Sequence, residues 1–286
     1  MHDFLATQTH ILNNGTFNLN PDTGGVYAPV WAFKPDHWSK SFLRGLTKLA
    51  SRWKNLRVWE VGVGTGVNLM VLRSQSPSTE WYFSDYDPRC VPLALENLLR
   101  SGAGKKGLYP LLGSWDLVAP PTDNGQNVPK VHVVFGCLPQ VPSETEHSVA
   151  DWTSHYYDTR LYREAHQNAL GLGLNEVLLI RARNVLLPGG SVVLNLGGRP
   201  GLSKLHSLFK DAGYRSKVVW QETIPQHTET SLASLAALEA NGHHSEFEFF
   251  KDLDCEKQIG AGEAEKRRLC GKPIYHKIYV MAGKLK

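Results

Sequence analysis

Leu56-Arg57-Val58-Trp59-Glu60-Val61-Gly62-Val63-Gly64-Thr65-Gly66-Val67-Asn68-Leu69-Met70-Val71-Leu72 holds a complete strand–turn–helix unit. Leu56–Val61 is a short run rich in apolar residues, the signature of a buried strand. Val67–Leu72 opens a helix. Between them, Gly62, Gly64 and Gly66 alternate with small residues. Glycine there permits a tight turn and lets a ligand approach the backbone closely. The spacing is neither Gly-x-Gly-x-x-Gly nor a phosphate loop ending in Lys-Ser/Thr. Glu60 at the head of the turn argues against a pyrophosphate and suits a ligand with a positive end.

Working outward, further strands are predicted at Glu80–Ser84, Gly107–Leu112, Val131–Phe135, Ser191–Leu196, Lys217–Gln221 and His276–Met281. Helices are predicted at Pro88–Leu99, about Thr159–Leu187 and Gly201–Ala212. Asp36 is placed to cap a helix whose apolar face is Phe42, Leu43, Leu46 and Leu49. Strands alternating with helices imply an α/β fold, a mostly parallel Rossmann-like sheet with helices on both faces. Ligands on such sheets bind at the carboxyl ends of the strands. Residues 1–50 read as an N-terminal extension or cap and 51–286 as the main domain. The stretches from Gln140 to about Asp158 and from about 224 to 273 read as insertions over the strand ends, the second preceding the last strand.

Composition narrows the class. The 286 residues are 42% hydrophobic and 20% charged, enough for a sizeable core. The formal charge is only +4, with no dense basic block, so nucleic acid is not an expected partner. No run approaches the ~18 apolar residues of a membrane span, and Met1-His2-Asp3-Phe4-Leu5 lacks a secretory pattern. Cys90, Cys137, Cys255 and Cys270 are scattered, which fits a reducing, cytoplasmic compartment. His243-His244 has no third ligand at a useful spacing, so no metal is expected. The Leu/Ala-rich helix at Ser231–Ala240 suits lid or dimer packing, and the sequence leaves a homodimer open.

Two further segments complete a ligand site. Trp81-Tyr82-Phe83-Ser84-Asp85 ends the second strand with an acid that can accept from both hydroxyls of a ribose, with Tyr86 beside it. Leu112-Gly113-Ser114-Trp115-Asp116 follows the third strand, placing Ser114 and Trp115 to edge an adenine and Asp116 to accept from its amino group. In this order and spacing, Glu60, Gly62, Gly64, Gly66, Asp85 and Asp116 resemble the class I S-adenosylmethionine-dependent methyltransferases. That resemblance implies S-adenosyl-L-methionine as cofactor.

The fourth strand ends Gly136-Cys137-Leu138-Pro139-Gln140. Methyltransferases acting on amino nitrogens often carry Asn/Asp-Pro-Pro-aromatic here. Cys137 replaces the polar residue, and a thiol is a poor acceptor for an amine proton. The strings Asp36-His37-Trp38-Ser39, Gly136–Gln140, Gly171-Leu172-Gly173-Leu174, Asn195-Leu196-Gly197-Gly198-Arg199-Pro200-Gly201 and Glu246–Phe250 resemble the methionine S-methyltransferases, over about residues 35–250. The family's first acidic segment reads Asp-x-Asn where Asp85-Tyr86-Asp87 stands here. The plant members continue into an aminotransferase-like part, whereas this chain resembles the short, stand-alone bacterial form.

The resemblance implies methyl transfer to the thioether of L-methionine, giving S-methylmethionine, often at the start of dimethylsulfoniopropionate synthesis. A thioether loses no proton on methylation, so no catalytic base is expected. Positioning and desolvation would carry the rate, with effective molarities of ~10⁵ M or more for aligned reactants. Cofactor binding falls to Glu60, the three glycines, Asp85, Tyr86, Ser114, Trp115, Asp116 and Cys137. Substrate binding falls to Arg199, whose planar fork matches a carboxylate, with Leu138, Pro139 and Gln140. Trp38, Tyr156 and Tyr157 are candidate aromatic walls for a sulfonium. The alternatives are an N-methyltransferase acting on a protein amide or a nucleic-acid base, and a non-catalytic S-adenosylmethionine-binding module.

Overall fold

The computed structural model describes residues 26–29, 31–32, 35–102, 104–120, 127–140, 168–242 and 247–286. The chain divides into two compact units. The first comprises Met1–Cys137 and Arg181–Val193, the second Leu138–Ile180 and Leu194–Lys286.

In the first unit, α1 (His37–Ala50) starts at the predicted cap. Asp36 accepts from the Ser39 amide at 3.0 Å, and the Ser39 hydroxyl returns a contact to the Asp36 amide, a capping box. Then follow β1 (Arg57–Val61), α2 (Val67–Gln75), β2 (Glu80–Ser84), α3 (Cys90–Arg100), β3 (Leu108–Pro110) and β4 (Val131–Gly136). The strands lie in the order β3-β2-β1-β4. All three pairings are parallel: Val58 stands beside Trp81 and Val133, and Trp81 beside Leu108. This is the Rossmann-like sheet expected from the alternating pattern, with the helical crossovers that parallel strands require.

Aromatic rings knit this unit together. Phe42 of α1 meets Phe135 of β4 at 6.0 Å, and Trp53 stacks on Phe135 at 5.8 Å. Trp59 meets Trp115 edge-on at 5.5 Å and donates its indole N–H to Ser84 Oγ at 2.9 Å. A buried tryptophan needs such a partner for its one polar atom.

The strand after the central helix begins earlier than its apolar run suggested. α4 is Gly173–Ala182, and β5 runs Leu186–Gly197. The helix expected over Thr159–Leu187 is therefore corrected at its end: Leu186 and Leu187 belong to the strand, and residues 159–167 lie outside the described residues. Apolar Leu-Leu pairs fit a helix face and a buried strand equally well. Pro188-Gly189-Gly190, which looks like a break, lies inside β5. A Cβ on Gly190 would sit 3.0 Å from the His132 carbonyl of β4, so close approach of backbone selects glycine there.

The second unit holds the rest of β5, then α5 (Leu202–Asp211), β6 (Tyr214–Pro225), α6 (Ala233–Ala240), β7 (Phe249–Phe250), β8 (Gln258–Ile259), α7 (Ala261–Leu269) and β9 (Tyr275–Leu285). β6 and β9 form a long antiparallel pair from Tyr214↔Leu285 to Pro225↔Tyr275, with a bulge between Val218 and Trp220. Both strands extend beyond their predicted cores. Within 224–273, Ile224 and Pro225 end β6, and the described residues that follow form α6, β7, β8 and α7 around Leu232, Leu235, Phe247, Phe249, Ile259 and Ile274. The Glu239 carboxylate ties them by accepting from the Phe247 amide at 2.9 Å and from Gly262, in the first turn of α7, at 3.1 Å. Among the described residues no helix is long and apolar enough to cross a membrane.

Candidate functional site

Three parallel strands of the first unit end side by side, and each contributes one loop. After β1 the chain turns through Gly62, Gly64 and Gly66, with φ of 74°, 51° and 79°. These left-handed values explain the alternation of glycines in the sequence. A Cβ on Gly66 would lie 2.9 Å from Ala94 Cβ, so the turn packs hard against α3. Gly64 is the opposite case: nothing lies within 4 Å of the Cβ position, leaving its face open. Asn97 of α3 braces the turn by donating to the Thr65 carbonyl at 3.0 Å.

After β2, Asp85 is buried. Its Oδ2 accepts from the Gly64 amide at 2.9 Å and its Oδ1 from the Asp87 amide at 3.0 Å. One carboxylate thus fixes both the glycine turn and the entry to α3. Burial pushes Asp85 up to about 6, against the pull of those two amides. Asp87 is held below the usual carboxylate range by its hydrogen bonds with Arg89. Arg89 in turn lies over the Trp31 ring at 4.3 Å. Tyr86 is exposed, and its carbonyl accepts from Ser114 Oγ at 2.6 Å.

After β3, the Trp115 amide donates to the Asp85 carbonyl at 2.9 Å, and the Trp115 side chain is buried. Asp116 pairs with Arg181 at 2.5 Å through Oδ2. Its buried Oδ1 has no hydrogen-bond partner among the described residues.

Glu60, the last-but-one residue of β1, is 1% exposed. Its Oε1 accepts from Asn68 Nδ2 at 2.7 Å, and its Oε2 has no partner among the described residues. Burial pushes its carboxyl up to about 8, the Asn68 hydrogen bond opposes the rise, and the Asp85 charge adds to it. A buried acid with an unmet oxygen is costly unless a cation or donor completes it. This set of carboxylate acceptors therefore fits a ligand with an ammonium end, ribose hydroxyls and an adenine amino group. Asn68 and Asn97 belong to no motif legible in the sequence. The available signal for Asn68 is its place in the first turn of the helix that follows the glycines. Cys137, at the end of β4, is half-buried.

The second unit holds the acceptor candidates. Gln140 binds the end of β5 with both ends of its amide: Nε2 donates to the Gly197 carbonyl at 3.1 Å, and Oε1 accepts from the Gly197 amide at 2.9 Å. Its side chain thus sets the course of the Gly197–Gly201 loop. Leu138 is buried and Pro139 half-buried. Arg199 is 7% exposed and donates from Nη2 to the Gln140 carbonyl at 3.2 Å. Burial lowers its guanidinium to about 10. The Arg199 carbonyl accepts from the Glu248 amide at 2.8 Å, and Gly198 donates to the Lys277 carbonyl at 2.7 Å. His276 is held neutral, well below the usual histidine range, first by burial and then by the Arg199 charge. Trp38 is half-buried in the first turn of α1. Tyr156 and Tyr157 lie outside the described residues. Among the described residues no group of three or more His, Cys, Asp or Glu is placed to hold a metal ion.

No family model matches the sequence. In alignments that cover 89% of this chain, it is 29% identical to the methionine S-methyltransferase of Zea mays and 28% identical to that of Hordeum vulgare. Each match takes in 25% of the relative, so the chain spans about a quarter of the length of the curated relatives it matches. A methyltransferase structure from Pyrococcus furiosus aligns with 97% of this chain and 98% of its own, at 12% identity and a TM-score of 0.49.

Proposed function

We propose that this chain transfers the methyl group of S-adenosyl-L-methionine to the thioether sulfur of L-methionine, giving S-methylmethionine and S-adenosylhomocysteine. The observation that carries the donor half is Glu60: a buried carboxylate with an unmet oxygen, beside a glycine turn whose Gly64 face is open. The acceptor half is supported by similarity to methionine S-methyltransferases across nearly nine-tenths of the chain.

S-adenosylmethionine supplies, when bound, a methyl group made electrophilic by its sulfonium. The chain's own residues do the rest. Glu60 holds the ammonium end, and Asp85, already oriented by two backbone amides, accepts from the ribose hydroxyls. The free Oδ1 of Asp116 accepts from the adenine amino group, with Trp115 and Ser114 beside it. Gly62, Gly64 and Gly66 admit the ligand close to the main chain. Arg199 binds the carboxylate of the amino acid through its planar fork. Leu138 and Pro139 exclude water, and Gln140 holds the Arg199 loop in register through Gly197. The acceptor sulfur carries a lone pair and no proton, so none of these residues acts as a base.

The direct test is to incubate the purified protein with S-adenosylmethionine and L-methionine and follow both products by mass spectrometry. S-methylmethionine and S-adenosylhomocysteine should appear in equal amounts. No sulfonium product at saturating concentrations of both reactants ends this assignment.

A further inference from the structure

Asn68 lies in the first turn of α2 and is 8% exposed. Its Nδ2–H donates to Glu60 Oε1 at 2.7 Å, which fixes which way the amide points, because a carboxylate oxygen demands the NH₂ side. With Glu60 ionised, the form that a cationic ligand requires, two acceptors are left over, one from each partner: Glu60 Oε2 and Asn68 Oδ1. Both are buried, and neither has a hydrogen-bond partner among the described residues. Buried polar atoms are nearly always partnered in folded proteins, so two orphans on directly bonded side chains call for a donor from outside the chain. An ammonium has three N–H donors and no acceptor. A metal ion fits less well, since among the described residues no group of three His, Cys, Asp or Glu is placed to hold one.

We propose that Asn68 is a specificity-determining residue: Glu60 Oε2 and Asn68 Oδ1 together accept from the α-amino group of the nucleoside–amino-acid cofactor. Asn68 thereby does two things. Its NH₂ fixes the Glu60 side chain, and its carbonyl oxygen contacts the ligand. Glu60 supplies the charge, and Asn68 supplies the requirement for a primary ammonium in place of a hydroxyl or hydrogen. This rests on the cofactor assignment above, and the following experiment separates the two.

Calorimetry on the full chain compares S-adenosylhomocysteine with its deamino analogue, in which hydrogen replaces the amino group. The wild-type protein should prefer the amino compound by at least tenfold. Asn68→Leu should cut that preference several-fold, by weakening the amino compound while leaving the deamino compound nearly unchanged. Equal weakening of both compounds would overturn the proposal and leave Asn68 as packing. Should the wild-type protein bind neither compound, the cofactor assignment itself falls. A second measurement needs no folded variant for its outcome. In wild-type protein labelled with ¹⁵N-asparagine, the Asn68 side-chain amide signals should shift with S-adenosylhomocysteine and stay put with the deamino analogue. The same shift with both would contradict the proposal.

Discussion

Asp85 holds two backbone amides and is proposed to hold a ribose as well, and its replacement should reveal both. It accepts from the Gly64 and Asp87 amides and, in the proposed complex, from the ribose. Hydrogen bonds to a charged group contribute roughly 1.5–3 kcal/mol. Asp85→Ala should therefore weaken S-adenosylhomocysteine binding by roughly 10–100-fold; unchanged affinity by calorimetry would remove Asp85 from the ribose. Arg199→Lys should raise KM for L-methionine on the order of tenfold while cofactor affinity holds, since a point charge cannot reproduce a planar fork. A change confined to cofactor affinity would move Arg199 to the donor side. Glu60 predicts a pH dependence whose sign is fixed by burial. Its carboxyl is raised from 4.5 to about 8, so the folded, ligand-free protein keeps a proton that the unfolded chain has lost. The stability this group contributes is complete below about 4.5 and is lost as pH rises through 8. Cofactor binding has the opposite slope. A cation needs the carboxylate, so binding expels the proton, and affinity should climb between pH 6 and 8. Titration in buffers of different ionisation enthalpy should show proton release, and Glu60→Gln should abolish it. At this scale residue type suggests chemistry at Glu60, Asp85 and Asp116, and the structure places the three in or just after β1, β2 and β3. The sequence was silent at Asn68, because an asparagine in a first helical turn is ordinary until its burial and partner are known. Gln140 was visible as part of a motif, but only the structure reveals that its amide is engaged by Gly197.

Among the elements, the glycine turn makes the sharpest demand. Gly66 has φ 79° and a Cβ position 2.9 Å from Ala94. Gly66→Ala should destabilise the chain by about 1–3 kcal/mol from backbone strain and overpacking against α3. Denaturant midpoints would measure it. Gly64→Ala meets open space and should bear only the cost of its positive φ, with a larger effect on ligand binding than on stability. Similar losses of stability at both positions would contradict this division. The strand–turn–helix and the Asp36 cap were legible because their signals are local: periodicity, turn residues and a capping pair. The end of α4 was not, because Leu186-Leu187 suits either a helix or a strand until β4 lies beside it. The full length of β6 and β9 was hidden for a related reason. Their outer residues, such as Arg215 and Lys284, are polar and pair across the ladder without an apolar signature.

For the molecule as a whole, the proposed reaction moves a methyl group and no proton. Transfer to a thioether converts one sulfonium into another, so net charge and proton count are conserved over complete turnovers. Transfer to a protonated amine or to an amide nitrogen liberates one proton for each methyl moved. The most direct measurement is therefore proton release per methyl transferred, read with a pH indicator in weakly buffered solution while S-adenosylhomocysteine is counted by chromatography over many turnovers. With L-methionine as acceptor, the ratio should be zero. One proton per S-adenosylhomocysteine formed would place the methyl on nitrogen and contradict the account.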